Sequence, residues 1–239
     1  MIATGVLTAL SLHFLSAPYG RYDRSGWGPK IPSRLGWIVM EAPACLGFLA
    51  VFLQGQHRFE TVPLLFLALW QLHYLHRAFI FPFRMRVSGK KMPASVALMA
   101  VFFNTWNLYI NARHISHLGT YPSGWLTSPQ FLVGVALFLG GYAVNLWADT
   151  VLLNLRKPGE KGYKIPHGGL FNLVASPNYL GEIVEWVGWA ILTWSLSGWA
   201  FAVYTAANIG PRALTHLQWY KKTFPDYPSN RKAIIPYIL

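Results

Sequence analysis

Across 239 residues the chain is 54% hydrophobic and 16% aromatic but only 12% charged, against a usual charged share of roughly 25%. That leaves too little polar surface for a soluble domain of this size and suits a single membrane bundle. The formal charge of +12 does not indicate nucleic acid, because the basic residues lie in short clusters between apolar runs rather than on one face. The single cysteine, Cys45, excludes an internal disulfide and a Cys-based zinc site, and reads as a small buried hydrophobe.

A bilayer core takes roughly 20 mostly apolar residues per helix. Runs of that kind predict helices at 1–17, 35–54, 62–83, 94–116, 129–153, 177–195 and 199–221. The first, MIATGVLTALSLHFLSAP, has no Lys or Arg ahead of its apolar stretch, so it reads as a retained membrane helix rather than a cleaved leader. Pro32, Pro63, Pro93, Pro122, Pro129, Pro158 and Gly198 punctuate the junctions.

The connections alternate in charge. The first holds Arg21, Arg24, Lys30 and Arg34; the second only Arg58. The third holds Arg84, Arg86, Lys90 and Lys91; the fourth only Arg113. The fifth holds Arg156, Lys157, Lys161 and Lys164, the sixth none, and the tail Lys221, Lys222, Arg231 and Lys232. This predicts an all-α integral membrane protein: one seven-transmembrane domain over 1–239, N-terminus outside and C-terminus cytosolic.

Several helices carry groups that lipid penalises. Glu41 stands before Pro43 on the second, and "QLHYLHR" puts Gln71, Tyr74 and Arg77 on one side of the third. Asn145, Asp149 and Arg156 fall at i, i+4 and i+11 of the fifth, and Asn178, Glu182 and Glu185 at i, i+4 and i+7 of the sixth. A carboxylate at mid-bilayer costs on the order of 3 kcal/mol, so these stripes face an interior, a watered cavity or the headgroup level. His73 and His76 lack an HExxH partner motif and read as packing histidines, with no metal expected. Trp37, Trp186 and Trp189 suit packing and the interface belt, although a flat apolar ligand would use the same residues.

The fifth connection, "LRKPGEKGYKIPHGGLFNLVASPNY", brings basic side chains to the start of the sixth helix. That suits a phosphate-bearing ligand, and it equally suits anchoring to anionic lipid. "GVALFLGGY" sits in a helical context, which excludes a Rossmann fingerprint.

Three late stretches, "LRKPGEKGYKIPHGGLF", "SPNYLGEIVEWVGWAILTWSL" and "FPDYPSNRKAIIPYIL", resemble the steroid 5α-reductase family. So do "GWIVMEAP", "HYLHRAFIFP" and "YPSGWLT". That family reduces the 4-ene of 3-oxo-steroids with NADPH. The resemblance is nearly chain-long and strongest from Leu155 onward. The C-terminal block alone is shared with sterol reductases and isoprenylcysteine carboxyl methyltransferases.

The resemblance implies a seven-helix bundle enclosing NADPH and opening to the cytosol, acting on a small apolar enone; a monomer is expected. It makes Glu41 and Tyr74 the catalytic pair at the substrate carbonyl; Trp37, among the aromatics a flat ligand would use, is expected beside the substrate. It places Asn145, Asp149, Arg156, Tyr163, Asn178, Glu182, Arg212, His216, Tyr220 and Arg231 around the cofactor. Asn178 and Glu182 would hold the nicotinamide amide and ribose edge, while Glu185 braces neighbouring helices. One departure stands out: family members carry Gln before the glutamate, and this chain has Met40. Two rival readings are a membrane methyltransferase using S-adenosylmethionine and a non-catalytic sterol-binding membrane protein.

Overall fold

The structure, a computed structural model, describes residues 1–87, 89–157, 160 and 162–239. Pro158 and Lys161 of the fifth connection therefore lie outside the described residues. Among the described residues there are seven long helical runs. They are α1 (Ile2–Phe14), α2 (Ser33–Phe52), α3 (Thr61–Arg84), α4 (Ala94–Arg113, prolonged by a π-helical turn at His114–Leu118), α5 (Pro129–Asn154), α6 (Pro177–Thr193) and α7 (Leu196–Thr223). Each coincides with one predicted apolar segment.

Three of them, α2, α3 and α5, are long and apolar enough to cross a membrane, while α1 is apolar but shorter. Helices α4, α6 and α7 carry more polar residues, and α4 shows where those go. Its Asn104, Asn107 and Asn111 are 7%, 0% and 0% exposed, whereas Leu98 and Phe102 are 66% and 73% exposed. Polar inside and apolar outside is the reverse of a water-soluble helix and fits a lipid surround.

The chain divides into two compact units. One comprises 17–132 and 193–197. In it a short antiparallel ribbon, β1 (Lys30–Pro32) with β2 (Lys91–Pro93), pairs Ile31 with Met92 and ties together the starts of α2 and α4. Each strand ends on a proline that gives way at once to a helix, a position where the missing N–H costs nothing.

Helix α2 contains Pro43, which returns no N–H to the preceding turn. The backbone there widens into a π-helical segment, Pro43–Gly47. Side chains from neighbouring helices serve the local carbonyls. Trp70 Nε1 donates to Ala44 O at 2.8 Å, Gln71 Nε2 to Cys45 O at 2.9 Å, and Asn104 Nδ2 to Met40 O at 2.7 Å. The Cys45 thiol is buried and donates in turn to Gln71 Oε1 at 2.9 Å, so it is more than an apolar filler.

The other unit comprises 1–16, 133–192 and 198–239. Helices α5 and α6 meet there through glycines seven residues apart on each: Gly134 and Gly141 against Gly181 and Gly188. A Cβ on Gly181 would stand 2.6 Å from Asn145 N and 2.7 Å from Gly141 O. Only the absence of side chains allows two backbones to come so close. Past the seam, Trp186 packs on Phe201 and Phe138 with centroids 4.4 and 6.0 Å apart. The tail closes back on the residues before α6: Ala175 N donates to Lys232 O at 2.8 Å and Lys232 N to Leu173 O at 2.9 Å.

Candidate active site

In the unit of 17–132, Glu41 and Tyr74 share a local setting. Each stands two residues ahead of a π-helical segment, Pro43–Gly47 for Glu41 and His76–Ile80 for Tyr74. Such segments shift side chains off the regular helical register and recur at functional sites. Glu41 is partly buried, and its Oε2 lies 3.4 Å from Asn104 Nδ2. Tyr74 is 3% exposed, its ring centroid 4.9 Å from those of Trp70 and His73.

The other predicted members of this group are spoken for locally. Gln71 binds the Cys45 backbone. The Arg77 guanidinium lies over Trp37 and Phe81, at 5.1 and 4.8 Å. Trp37 meets Phe81 edge-on at 5.3 Å. Met40 is buried in an apolar cluster with Met92 and Ala97, flanked by Trp37. Its thioether therefore adds to core packing, where the Gln expected from the resemblance would place an amide.

Asn104, Asn107 and Asn111 of α4 escaped the sequence reading. Asn111 Nδ2 donates to Asn107 Oδ1 at 2.9 Å, and Asn104 reaches the Glu41 region. The signal was their i, i+3, i+7 spacing inside an apolar run.

In the other unit, the glycine seam brings the polar faces of α5 and α6 together. Asn145 Nδ2 donates to Asn178 O at 3.0 Å and lies 3.4 Å from Glu182 Oε2. Asn178 Nδ2 donates to Asp149 Oδ1 at 3.1 Å. Four predicted residues thus form one network, with Asn145 and Asp149 only 1% and 6% exposed. Glu185, one turn on, is fully buried.

A second set runs through aromatic contacts. Arg156 lies 5.8 Å over Tyr163, which meets Trp219 at 5.0 Å. Trp219 neighbours Tyr220, which stacks on Tyr227 at 5.1 Å, and Arg231 lies 5.2 Å over Tyr227. Arg231 is buried and donates to Pro166 O at 2.8 Å and His167 Nδ1 at 3.1 Å, so it clasps the fifth connection to the tail. Arg212 and His216 are joined through Tyr179: its hydroxyl is 3.2 Å from His216 Nε2, and the Arg212 guanidinium is 5.6 Å from its ring. Tyr179 was not singled out from the sequence, where it reads as one more aromatic.

The fifth connection is less uniformly basic than its sequence suggests. Lys164 Nζ is 2.6 Å from Glu160 Oε2, which also accepts the Lys157 N–H at 2.7 Å. The Lys164 hydrogen bond, then the Lys157 one, hold the Glu160 carboxyl below its ordinary range.

Residues 90–239 match the sequence profile of the 3-oxo-5-alpha-steroid 4-dehydrogenase family. The chain is also 44% identical to 3-oxo-5-alpha-steroid 4-dehydrogenase 1 of Bos taurus, over 99% of this chain and 93% of that protein. It is 45% identical to steroid 5-alpha-reductase DET2 of Gossypium hirsutum, over 97% and 92% respectively. To the Homo sapiens 3-oxo-5-alpha-steroid 4-dehydrogenase 1 it is 42% identical, over 92% and 85%. The chain belongs to the 3-oxo-5-alpha-steroid 4-dehydrogenase family.

A 3-oxo-5-alpha-steroid 4-dehydrogenase is an oxidoreductase acting on a CH–CH bond, and membership favours that class over the methyltransferase reading. The profile match takes in the α5–α6 network and the Asn ladder of α4. Glu41 and Tyr74 precede it, inside the longer alignment to the Bos taurus relative.

Proposed function

We propose that the protein reduces the Δ4 double bond of a 3-oxo-Δ4-steroid, or a similar polycyclic enone, to the 5α-reduced ketone with NADPH. The observation that carries this is the network of Asn145, Asn178, Asp149 and Glu182 in a chain of this family. Buried and half-buried acids and amides on facing helices supply both donors and acceptors, and that is what a carboxamide and ribose hydroxyls require. Arg156 and Lys157, with Lys164 beside Glu160, suit the phosphates, and a cationic cluster favours NADPH over NADH. The residues fit the cofactor.

When bound, NADPH supplies the hydride that adds to the β-carbon of the enone. That addition proceeds only if charge building on the ketone oxygen is stabilised. Tyr74 donates a hydrogen bond to that oxygen, and Glu41, in its protonated form, donates a second or orients the tyrosine. Trp37 offers a flat apolar surface to the ring system. The same reading sets all seven helices across the bilayer as one domain, N-terminus outside, with a monomer as the working unit. The alternation of basic and bare connections supports the crossings and their direction.

The test is mass spectrometry of a panel of polycyclic enones incubated with the purified protein. An NADPH-dependent gain of two hydrogens is expected, with NADH much poorer. No such product from any Δ4-3-ketone overturns the reading.

A further inference from the structure

A carboxylic acid that donates to a substrate must carry its proton on the right oxygen. Asn104 of α4 is placed to decide which. Its Nδ2 bears two hydrogens, and the structure gives it two acceptors on α2: Met40 O at 2.7 Å and Glu41 Oε2 at 3.4 Å. A backbone carbonyl only accepts, so the short bond to Met40 O fixes the amide with its NH₂ toward α2. That bond exists because the helix is disturbed just beyond, at Pro43, where local carbonyls take donors from other helices.

The second hydrogen then points to Glu41 Oε2. At 3.4 Å it is a weak bond by length, yet its direction matters. An N–H aimed at Oε2 makes that atom an acceptor and opposes an O–H there. We propose that Asn104 is a positioning residue for the reduction, assigning Glu41 Oε2 as the accepting oxygen and leaving the acidic proton on Oε1. The proposal rests on the reading of Glu41 as the acid that polarises the ketone.

No bond is made or broken by Asn104. It lowers the barrier by holding one protonation pattern and one carboxyl rotamer, and a misplacement near 1 Å can cost about 10²-fold. The neighbouring amides extend the same wall: Asn107 and Asn111 are fully buried one and two turns along α4.

The test uses the full-length protein, with turnover counted per molecule in the monodisperse size-exclusion peak so that misfolded material drops out. Asn104→Leu keeps the shape and removes both donors, Asn104→Asp replaces donor by acceptor, and Asn104→Gln keeps the donor. Leu and Asp are expected to lower kcat about tenfold to a hundredfold with the enone KM little changed, and Gln to recover most of the loss. In a Glu41→Gln background, Asn104→Leu should cost no further turnover, because the residue acts through the glutamate. An equal loss in both backgrounds, or unchanged kcat per folded molecule, overturns the proposal. Should the Leu variant fail to fold, Asp and Gln decide: equal turnover in those two also overturns it. The parallel Glu41→Gln measurement separates the failures. Wild-type turnover there removes Glu41 from the chemistry; an inactive Glu41→Gln beside an unaffected Asn104→Leu removes only Asn104.

Discussion

A ketone oxygen gaining charge in a low-dielectric site is stabilised chiefly by donors held in place beforehand, and losing one typically costs 10²- to 10³-fold in kcat. Tyr74→Phe and Glu41→Gln are each expected to fall by about that factor while NADPH titrates as in wild type, because the residues proposed to hold the cofactor lie on other helices. Intrinsic NADPH fluorescence and a turnover assay on the same samples check this, and wild-type rates in both would clear the pair. Glu160 gives a prediction of opposite sign. Its carboxyl is held below the ordinary range by Lys164 and then Lys157, so the ion pair is complete above the unfolded value and lost as pH falls through the lowered folded one. Across neutral pH it therefore occupies Lys164. Glu160→Gln releases that lysine and is expected to tighten NADPH binding a few-fold at low salt, the gain fading as salt is raised. A weaker Kd would instead make Glu160 part of the cofactor site. At this scale acids inside apolar runs were legible because their insertion cost is large. The asparagines of α4 and Tyr179 were not, since amides and aromatics cost little and become informative only when a neighbour is seen.

Helix positions were legible because the apolar run is set by bilayer thickness, and each predicted segment meets a helix. What joins them was not. The β1–β2 ribbon has three residues a side, too short for any alternation to show. The π-helical turns at Pro43–Gly47, His76–Ile80 and His114–Leu118 leave no periodic trace, and only the first contains a proline. The glycine seam of α5 and α6 was present as letters, yet glycine in a membrane helix has several uses, and the pairing shows only in the contacts. Its consequence is testable. A Cβ at Gly181 would meet the Asn145 and Gly141 backbones, so Gly181→Ala is expected to cost roughly 1–3 kcal/mol, as overpacking does. It should also weaken NADPH binding by spreading the network that begins at Asn145. Gly140 has nothing within 4 Å of its Cβ position. Gly140→Ala should leave both properties intact or raise the melting temperature slightly. Thermal unfolding in detergent with and without NADPH compares the two, and equal effects would mean the close approach does not hold these helices.

For the molecule as a whole, the charge of +12 reads as topology. Lys and Arg resist translocation, so their uneven sharing among short connections biases which end stays in the cytosol. The first, third and fifth connections and the tail hold nearly all of them, and the fourth holds one. The burial pattern agrees with a lipid surround, since α4 turns its amides inward and Leu98 and Phe102 outward. Neither observation by itself gives the direction of crossing; labelling does. Cys45 is buried and is the only cysteine, so Cys45→Ser, which keeps a donor toward Gln71, supplies a background without reactive thiols. Ser123 in the fourth connection and Ser229 in the tail are both exposed. Ser123→Cys is expected to react with a membrane-impermeant maleimide on intact cells, and Ser229→Cys only after permeabilisation. The reverse pattern would turn the whole molecule over and put the basic connection proposed to face the cofactor phosphates on the side without NADPH. Labelling of both sites on intact cells would instead mean an even number of crossings between them, and one of α5, α6 and α7 would have to lie outside the bilayer.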